Sequence, residues 1–215
     1  MTKRRYAIVL AALLALCGAS AAPAQVSIGA RIGVNSAAAD IHLSYGDAYQ
    51  TGRRTGLVTG IALEFGLIGP LSMQFEPQYV QKGYRLQDVY LGNELTVVGK
   101  LDYVELPMLL KGTWQLGRIS AFAFGGPSVG MRSSAKVAEM FPDSTEISKV
   151  DYATRDLDLT LDVGAGLGYQ VNPTTTVVAD IRYSHGLINI DKGERGDVYR
   201  SRDIKVMMGM MFRLQ

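Results

Sequence analysis

From Val26 onward the apolar residues of this chain fall on every second position, segment after segment, and the gaps between segments alternate tight and long. The tight gaps are Leu67–Pro70, Gln115–Arg118 and Val171–Thr174; the long ones are Ala37–Arg54, Gln87–Gly99, Ser133–Thr154 and Asn189–Ser201. A period of two is the signature of strands. A soluble sandwich has no reason to sort its connections by length, whereas a barrel standing across a membrane puts short turns in one compartment and long loops in the other.

The two faces of each segment can be read directly. Val26–Asn35 sets Val26, Ile28, Ala30, Ile32 and Val34 against Ser27, Gly29, Arg31, Gly33 and Asn35. Gly56–Leu67 sets Leu57, Ile61, Leu63 and Phe65 against Gly60, Ala62 and Glu64, and Leu71–Tyr84 sets Met73, Phe75 and Tyr79 against Gln74, Glu76 and Gln78. A fourth segment carries Val104, Leu106, Met108, Leu110 and Trp114 opposite Glu105 and Lys111. The sixth, from Leu157, alternates leucines with Asp158, Thr160, Asp162 and three glycines; the seventh and eighth oppose Asp180, Arg182 and Lys205 to aliphatic rows. The fifth, Ile119–Arg132, has no clear alternation, and Phe122 and Phe124 are taken to mark its outer face.

Which face is large decides the architecture. The polar face is rich in glycine and single charges, which suits the narrow interior of a small barrel rather than the Lys-, Glu- and Thr-rich surface of a soluble sandwich. Segments of roughly 10–14 residues also suit strands that cross a bilayer at a tilt. With the N-terminus on the periplasmic side, Phe65, Trp114, Tyr169 and Phe212 lie near the ends of the four returning strands. They are expected to form an interfacial aromatic girdle.

The first 24 residues read as a signal peptide. Lys3-Arg4-Arg5 precede an apolar run from Ala7 to Leu16, and Ala22-Pro23-Ala24 offers small residues for cleavage. Residues 25–215 are then one outer-membrane barrel domain. Cys17 is the single cysteine. Leu16 before it argues against lipidation, and cleavage after Ala24 leaves no thiol in the mature chain, hence no disulfide or thiol catalyst. Losing three basic residues turns 22 basic against 20 acidic into a net charge of −1, which gives no reason to expect a nucleic-acid partner.

Five motifs occur in order along the chain: Glu76-Pro77-Gln78-Tyr79 with Gln81-Lys82-Gly83; Tyr103 to Lys111; Gly125-Gly126-Pro127-Ser128-Val129-Gly130; Asp162-x-Gly164-x-Gly166-x-Gly168; and Tyr183-Ser184-His185-Gly186-Leu187-Ile188-Asn189-Ile190. In this order they resemble the third to seventh strands of the PorT-like outer-membrane β-barrel proteins. The resemblance spans essentially the whole mature chain and implies a fold and a location; the secretion role of that family's namesake has no determinant in these motifs.

The inward charges Arg31, Glu64, Glu76, Glu105, Lys111, Asp158, Asp162, Asp180, Arg182 and Lys205 are the candidates for chemistry. They could form a proton relay or a carboxylate pair, or they could pair with one another and fill the lumen, which is the favoured reading because an unpaired buried charge is costly. Arg182 is placed opposite or diagonal to Asp162. Eight strands leave an interior only wide enough for side chains, so no open pore is expected. Ser184 and His185 are strand neighbours that point to opposite faces and so cannot act as a dyad. His42 is read in a long loop, without partners for a metal site. The long gaps carry Tyr45, Tyr49, Tyr90, Tyr152 and Tyr199 among mixed charges, a composition compatible with capture of a ligand.

The expectation is therefore an all-β, eight-stranded, antiparallel up-and-down transmembrane β-barrel with an N-terminal signal peptide, located in the outer membrane. It is expected to be non-enzymatic and to have a structural or surface-recognition role carried by four long outer loops, with no cofactor and no metal. Its partners would be outer-membrane lipid, the outer-membrane assembly machinery and an envelope or extracellular protein. The alternatives are an outer-membrane enzyme modifying lipid or peptide, and a soluble lipocalin-like periplasmic carrier.

Overall fold

A computed structural model describes residues 25–42, 48–50, 52–90, 93–141, 144–149, 156–189 and 198–214. The segment read as a signal peptide lies outside the described residues. The strands are β1 (Val26–His42), β2 (Ala48–Gln50), β3 (Gly52–Gly66), β4 (Leu71–Phe75), β5 (Gln78–Tyr90), β6 (Asn93–Leu116), β7 (Ile119–Phe141), β8 (Ser144–Lys149), β9 (Leu157–Asn172), β10 (Thr175–Gly186) and β11 (Val198–Arg213).

Nine of these close a ring. Going round, β1 pairs β3, β3 pairs β4 and β5, both of these pair β6, then β7, β9, β10 and β11 follow, and β11 returns to β1, every pairing antiparallel. Because β4 and β5 lie end to end between the same two neighbours, the nine strands make the eight staves expected. The break falls at Glu76-Pro77, where a continuous strand was expected. Pro77 has no N–H to donate. Glu76 N still donates to Pro107 O at 3.1 Å and Ile61 N to Pro77 O at 3.0 Å, so the stave keeps its place.

The tight turns follow from local chemistry. Gly69 and Gly117 occupy positive φ (56° and 66°) at the first two. At the third, Asn172 Oδ1 accepts from the backbone N–H groups of Thr174 and Thr175 at 3.0 and 2.8 Å, an Asx turn ahead of β10.

At the other end the four long gaps are not loops throughout. The hairpin β5–β6 stays paired out to Tyr90 and Asn93, β7 runs to Phe141 and pairs β8, and β1 continues to His42, where it pairs β2 and β11. His42 therefore lies in a strand and not in a loop. A span needs only about 9–11 residues, and β6 and β7 have 24 and 23. The period-two signal stops where the wall leaves the lipid, because neither face need be apolar beyond it, while backbone pairing continues.

The wall is inverted relative to a soluble protein. Ile32, Ile61, Leu110, Leu167, Ile181 and Met208 are exposed on the outside, whereas Arg31, Lys82, Glu105, Asp158, Arg182 and Lys205 are buried within. A soluble lipocalin-like carrier requires the reverse, so that alternative is set aside.

Phe122 and Phe124 correct the expectation for the fifth segment: both are buried in the lumen, not on the outer face. The register places Phe122 opposite Gly166 and Phe124 opposite Gly164. A Cβ on either glycine would sit 2.5 Å from the ring facing it. The glycines of β9 vacate the space that the two rings occupy, a cross-strand pairing in which an aromatic covers a glycine.

Candidate functional site

The lumen is built from the tight-turn end inward. A cavity of about 370 Å³ lies beside the turn at Gly69 and Pro70, walled by Glu64 and Lys111 among other polar groups. Lys111 Nζ donates to Glu64 Oε2 at 2.8 Å, and Ser72 Oγ donates to the other oxygen of that carboxylate at 2.7 Å. Phe122, Val178 and Met211 also line the cavity. They belong to a buried cluster with Ala62, Leu109 and Phe124 that separates it from the charges beyond. Lys111 lies 4.4 Å from the Phe122 ring centroid and the Arg182 guanidinium 4.8 Å from that of Phe124, so both rings also serve as cation–π surfaces.

Two ionic layers follow. In the first, Arg182 Nη2 donates to Glu76 Oε2 at 2.6 Å. Arg31 pairs with Glu76 at 3.5 Å and bonds to Asp180. Asp162 is only 3.8 Å from Arg182 and accepts from the Thr160 hydroxyl at 3.1 Å. Arg182 therefore does pair with the diagonal Asp162, as expected, while its shortest contact is to Glu76. In the second layer, Lys205 Nζ donates to Glu105 Oε2 at 2.7 Å. Lys82 lies 2.5 Å from Glu105, 3.1 Å from Asp158 and 3.0 Å from Asp203. Ser201 and Gln78 add hydrogen bonds to Asp158 and Glu105 at 3.0 and 2.9 Å.

Ring order gives these distances their meaning. The staves bearing Arg182 and Glu76 are four apart in either direction, and so are those bearing Lys205 and Glu105. Both pairs therefore span the full diameter, and Lys82 reaches a carboxylate on a stave three away on either side.

All ten charges singled out from the sequence face the lumen; Glu64, at the mouth, is the least enclosed. Lys82 and Asp203 were not among them, although both are buried and central. Lys82 continues the even-numbered row of Gln74, Glu76 and Gln78, and Asp203 precedes Lys205 by one strand period, so parity alone would have found both. Asp203 carries little signal because the polar residues up to Ser201 read as loop and the aliphatic alternation begins only at Val206, although the strand starts at Val198. Phe65, Trp114, Tyr169 and Phe212 all point outward at the tight-turn end: Phe65 pairs Val26, Trp114 pairs Ala121, Tyr169 pairs Ile119 and Phe212 pairs Thr175.

Ser184 is fully buried, while the ring of His185 stacks on Tyr183 at 6.3 Å between centroids. The two side chains leave the strand on opposite faces. Among the described residues no group of three His, Cys, Asp or Glu side chains is placed to hold a metal ion. The side chains of Tyr45, Tyr49, Tyr90, Tyr152 and Tyr199 lie outside the described residues.

Comparison with solved structures places this architecture among known barrels. A major outer membrane protein from Thermus thermophilus is similar over 90% of this chain and 100% of its own, with 13% identity and a TM-score of 0.53, and has the same fold. OprG from Pseudomonas aeruginosa is similar over 88% of this chain and 96% of its own, at 10% identity and TM-score 0.47. Neisserial surface protein A is similar over 86% and 97%, at 13% identity and TM-score 0.42. No curated protein sequence matches. The family model described as outer membrane protein beta-barrel domain matches residues 19–192. With a lipid-facing apolar wall and a charged, buried lumen, this chain belongs to the outer membrane protein β-barrel domain family and resides in the outer membrane.

Proposed function

We propose that this protein is a non-enzymatic outer-membrane barrel whose lumen is a packed structural plug and whose role in the envelope, structural or in recognition, is carried by the strands and connections that project beyond the apolar wall on the side away from the tight turns. The carrying observation is the pair of ionic contacts across the full diameter, Arg182 to Glu76 and Lys205 to Glu105. A side chain bonded to the opposite wall blocks the path a solute would take, and mutual pairing offsets the desolvation of each charge. The ten lumen charges are read here as structural, and the tight turns as periplasmic. Phe65, Trp114, Tyr169 and Phe212 are read as the aromatic girdle at the periplasmic interface. The five ordered motifs support a place within the PorT-like group.

The enzyme alternative needs a nucleophile and base that converge at a rim. Ser184 and His185, the pair the sequence offers, diverge. Liposome swelling tests the closed lumen: proteoliposomes bearing the folded protein are expected to swell no faster than empty ones in arabinose, and swelling that scales with protein would overturn the reading.

A further inference from the structure

The outer hairpins contain a row that violates ordinary strand pairing. Lys100 on β6 lies directly opposite Lys136 on β7, and Lys136 in turn lies opposite Lys149 on β8. Like charges in direct cross-strand register repel. Lys136 is exposed and Lys100 half-buried, and neither has a carboxylate partner among the described residues. Asp102, two residues nearer the wall on the same face of β6, interacts with Arg54. On the other side of Lys100 the register places Gly83, which has no side chain, and two residues farther along β5 comes the exposed Arg85. The Arg54 side chain passes over Gly83, so the result is an outward-facing cationic patch of Arg85, Lys100 and Lys136 flanked by Arg54, whose charge Asp102 faces.

Its height identifies the occupant. Val104 and Met131, paired across β6 and β7, end the exposed apolar wall on these strands. Lys100 is four residues beyond Val104. At about 3.3 Å per residue and a tilt of about 40°, that is roughly 10 Å above the apolar edge. The headgroup zone on each side is about 5–8 Å deep, and a lysine stem spans the remainder by reaching back toward it.

We propose that Arg85, Lys100 and Lys136 bind the phosphate of a phosphorylated amphiphile in the outward-facing leaflet, and that this anion neutralises the lysine pair. The outward assignment rests on the periplasmic placement of the tight turns given above. A phosphate bridging two ammonium groups and a guanidinium satisfies all three cations, while the acyl chains continue down the apolar wall past Val104 and Met131.

Two measurements test it separately. In detergent, the temperature at which the full barrel loses its fast-migrating folded form on a gel is read with diphosphorylated lipid A, with the same lipid stripped of phosphate, and with inorganic phosphate alone. The proposal expects an upward shift from the phosphorylated lipid only. It expects the Lys100→Gln/Lys136→Gln variant to lose that shift while keeping a midpoint, without lipid, at least as high as wild type. No shift with the phosphorylated lipid, an equal shift from dephosphorylated lipid, or an equal shift from inorganic phosphate overturns it. On intact cells, a Lys136→Cys variant is expected to react with a membrane-impermeant maleimide. Reaction only after permeabilisation would overturn the periplasmic placement of the tight turns, and the outer-leaflet site with it.

Discussion

Arg182 on β10 donates to Glu76 on the opposite wall at 2.6 Å, with neither side chain exposed. This one contact ties two staves that share no backbone hydrogen bond, and it holds Glu76 at the point where Pro77 interrupts its strand. Breaking a buried pair from one side leaves an unpaired charge, at a cost of about 3–5 kcal/mol. Glu76→Ala is expected to lower the unfolding free energy by an amount of that order, with a lower urea midpoint. Replacing both residues with methionine should cost less than either single loss. Urea titration of the heat-modifiable band, run as a double-mutant cycle, measures the coupling.

Gly166 faces the Phe122 ring and the neighbouring wall so closely that a side chain has no room. Gly166→Val should destabilise the barrel by about 1–3 kcal/mol through overpacking, and Phe122→Ala by about 3–5 kcal/mol through the void it leaves. The same urea titration reads both. If Phe122 faced lipid instead, its replacement by alanine would lose only the transfer energy, about 1.5–3 kcal/mol, and Gly166→Val would not meet its ring.

The lipid wall makes a depth-dependent prediction. Ile61 pairs Ala30 at mid-height on β3, 51% exposed. Ile61→Arg is expected to cost about 2–4 kcal/mol, and Phe212→Arg at the tight-turn rim about 0–1 kcal/mol. Folding into bilayers of defined thickness, with each variant titrated against denaturant, gives the comparison. Equal costs at both positions would contradict the assigned span.

The long external hairpins should be dispensable for the barrel itself. Replacing residues 137–155 by a short glycine-serine turn is expected to leave heat modifiability intact, because the lumen pairs named above all lie on retained strand segments. Loss of the folded band would show that these projecting strands hold the wall closed.

The sequence was most legible where lipid imposes it. Ile28 to Val34 and Leu157 to Tyr169 alternate because one face meets hydrocarbon and the other a narrow lumen, and that pattern sufficed for the stave count and the lipid face. It stops short in three physical situations. Phe122 and Phe124 look like lipid-facing residues until the register reveals Gly166 and Gly164 across from them, and register is a property of two strands rather than one. Lys82 and Asp203 lie near the membrane boundary, where the hydrophobic period fades while the strand continues. The diametric partners of Arg182 and Lys205 depend on ring closure, which no local pattern encodes; the pairing of Arg182 with Asp162 on the neighbouring strand is present at 3.8 Å, but the shorter contact across the lumen could not be read locally.

Single-channel recording from the folded, full-length barrel in planar bilayers is the most direct check on a lumen closed by Arg182–Glu76 and Lys205–Glu105. The expected record is a flat baseline at the bilayer's own leak, with no steps over a range of voltages and salt concentrations. Reproducible conductance steps of one size from the wild-type protein would contradict a lumen closed by these pairs.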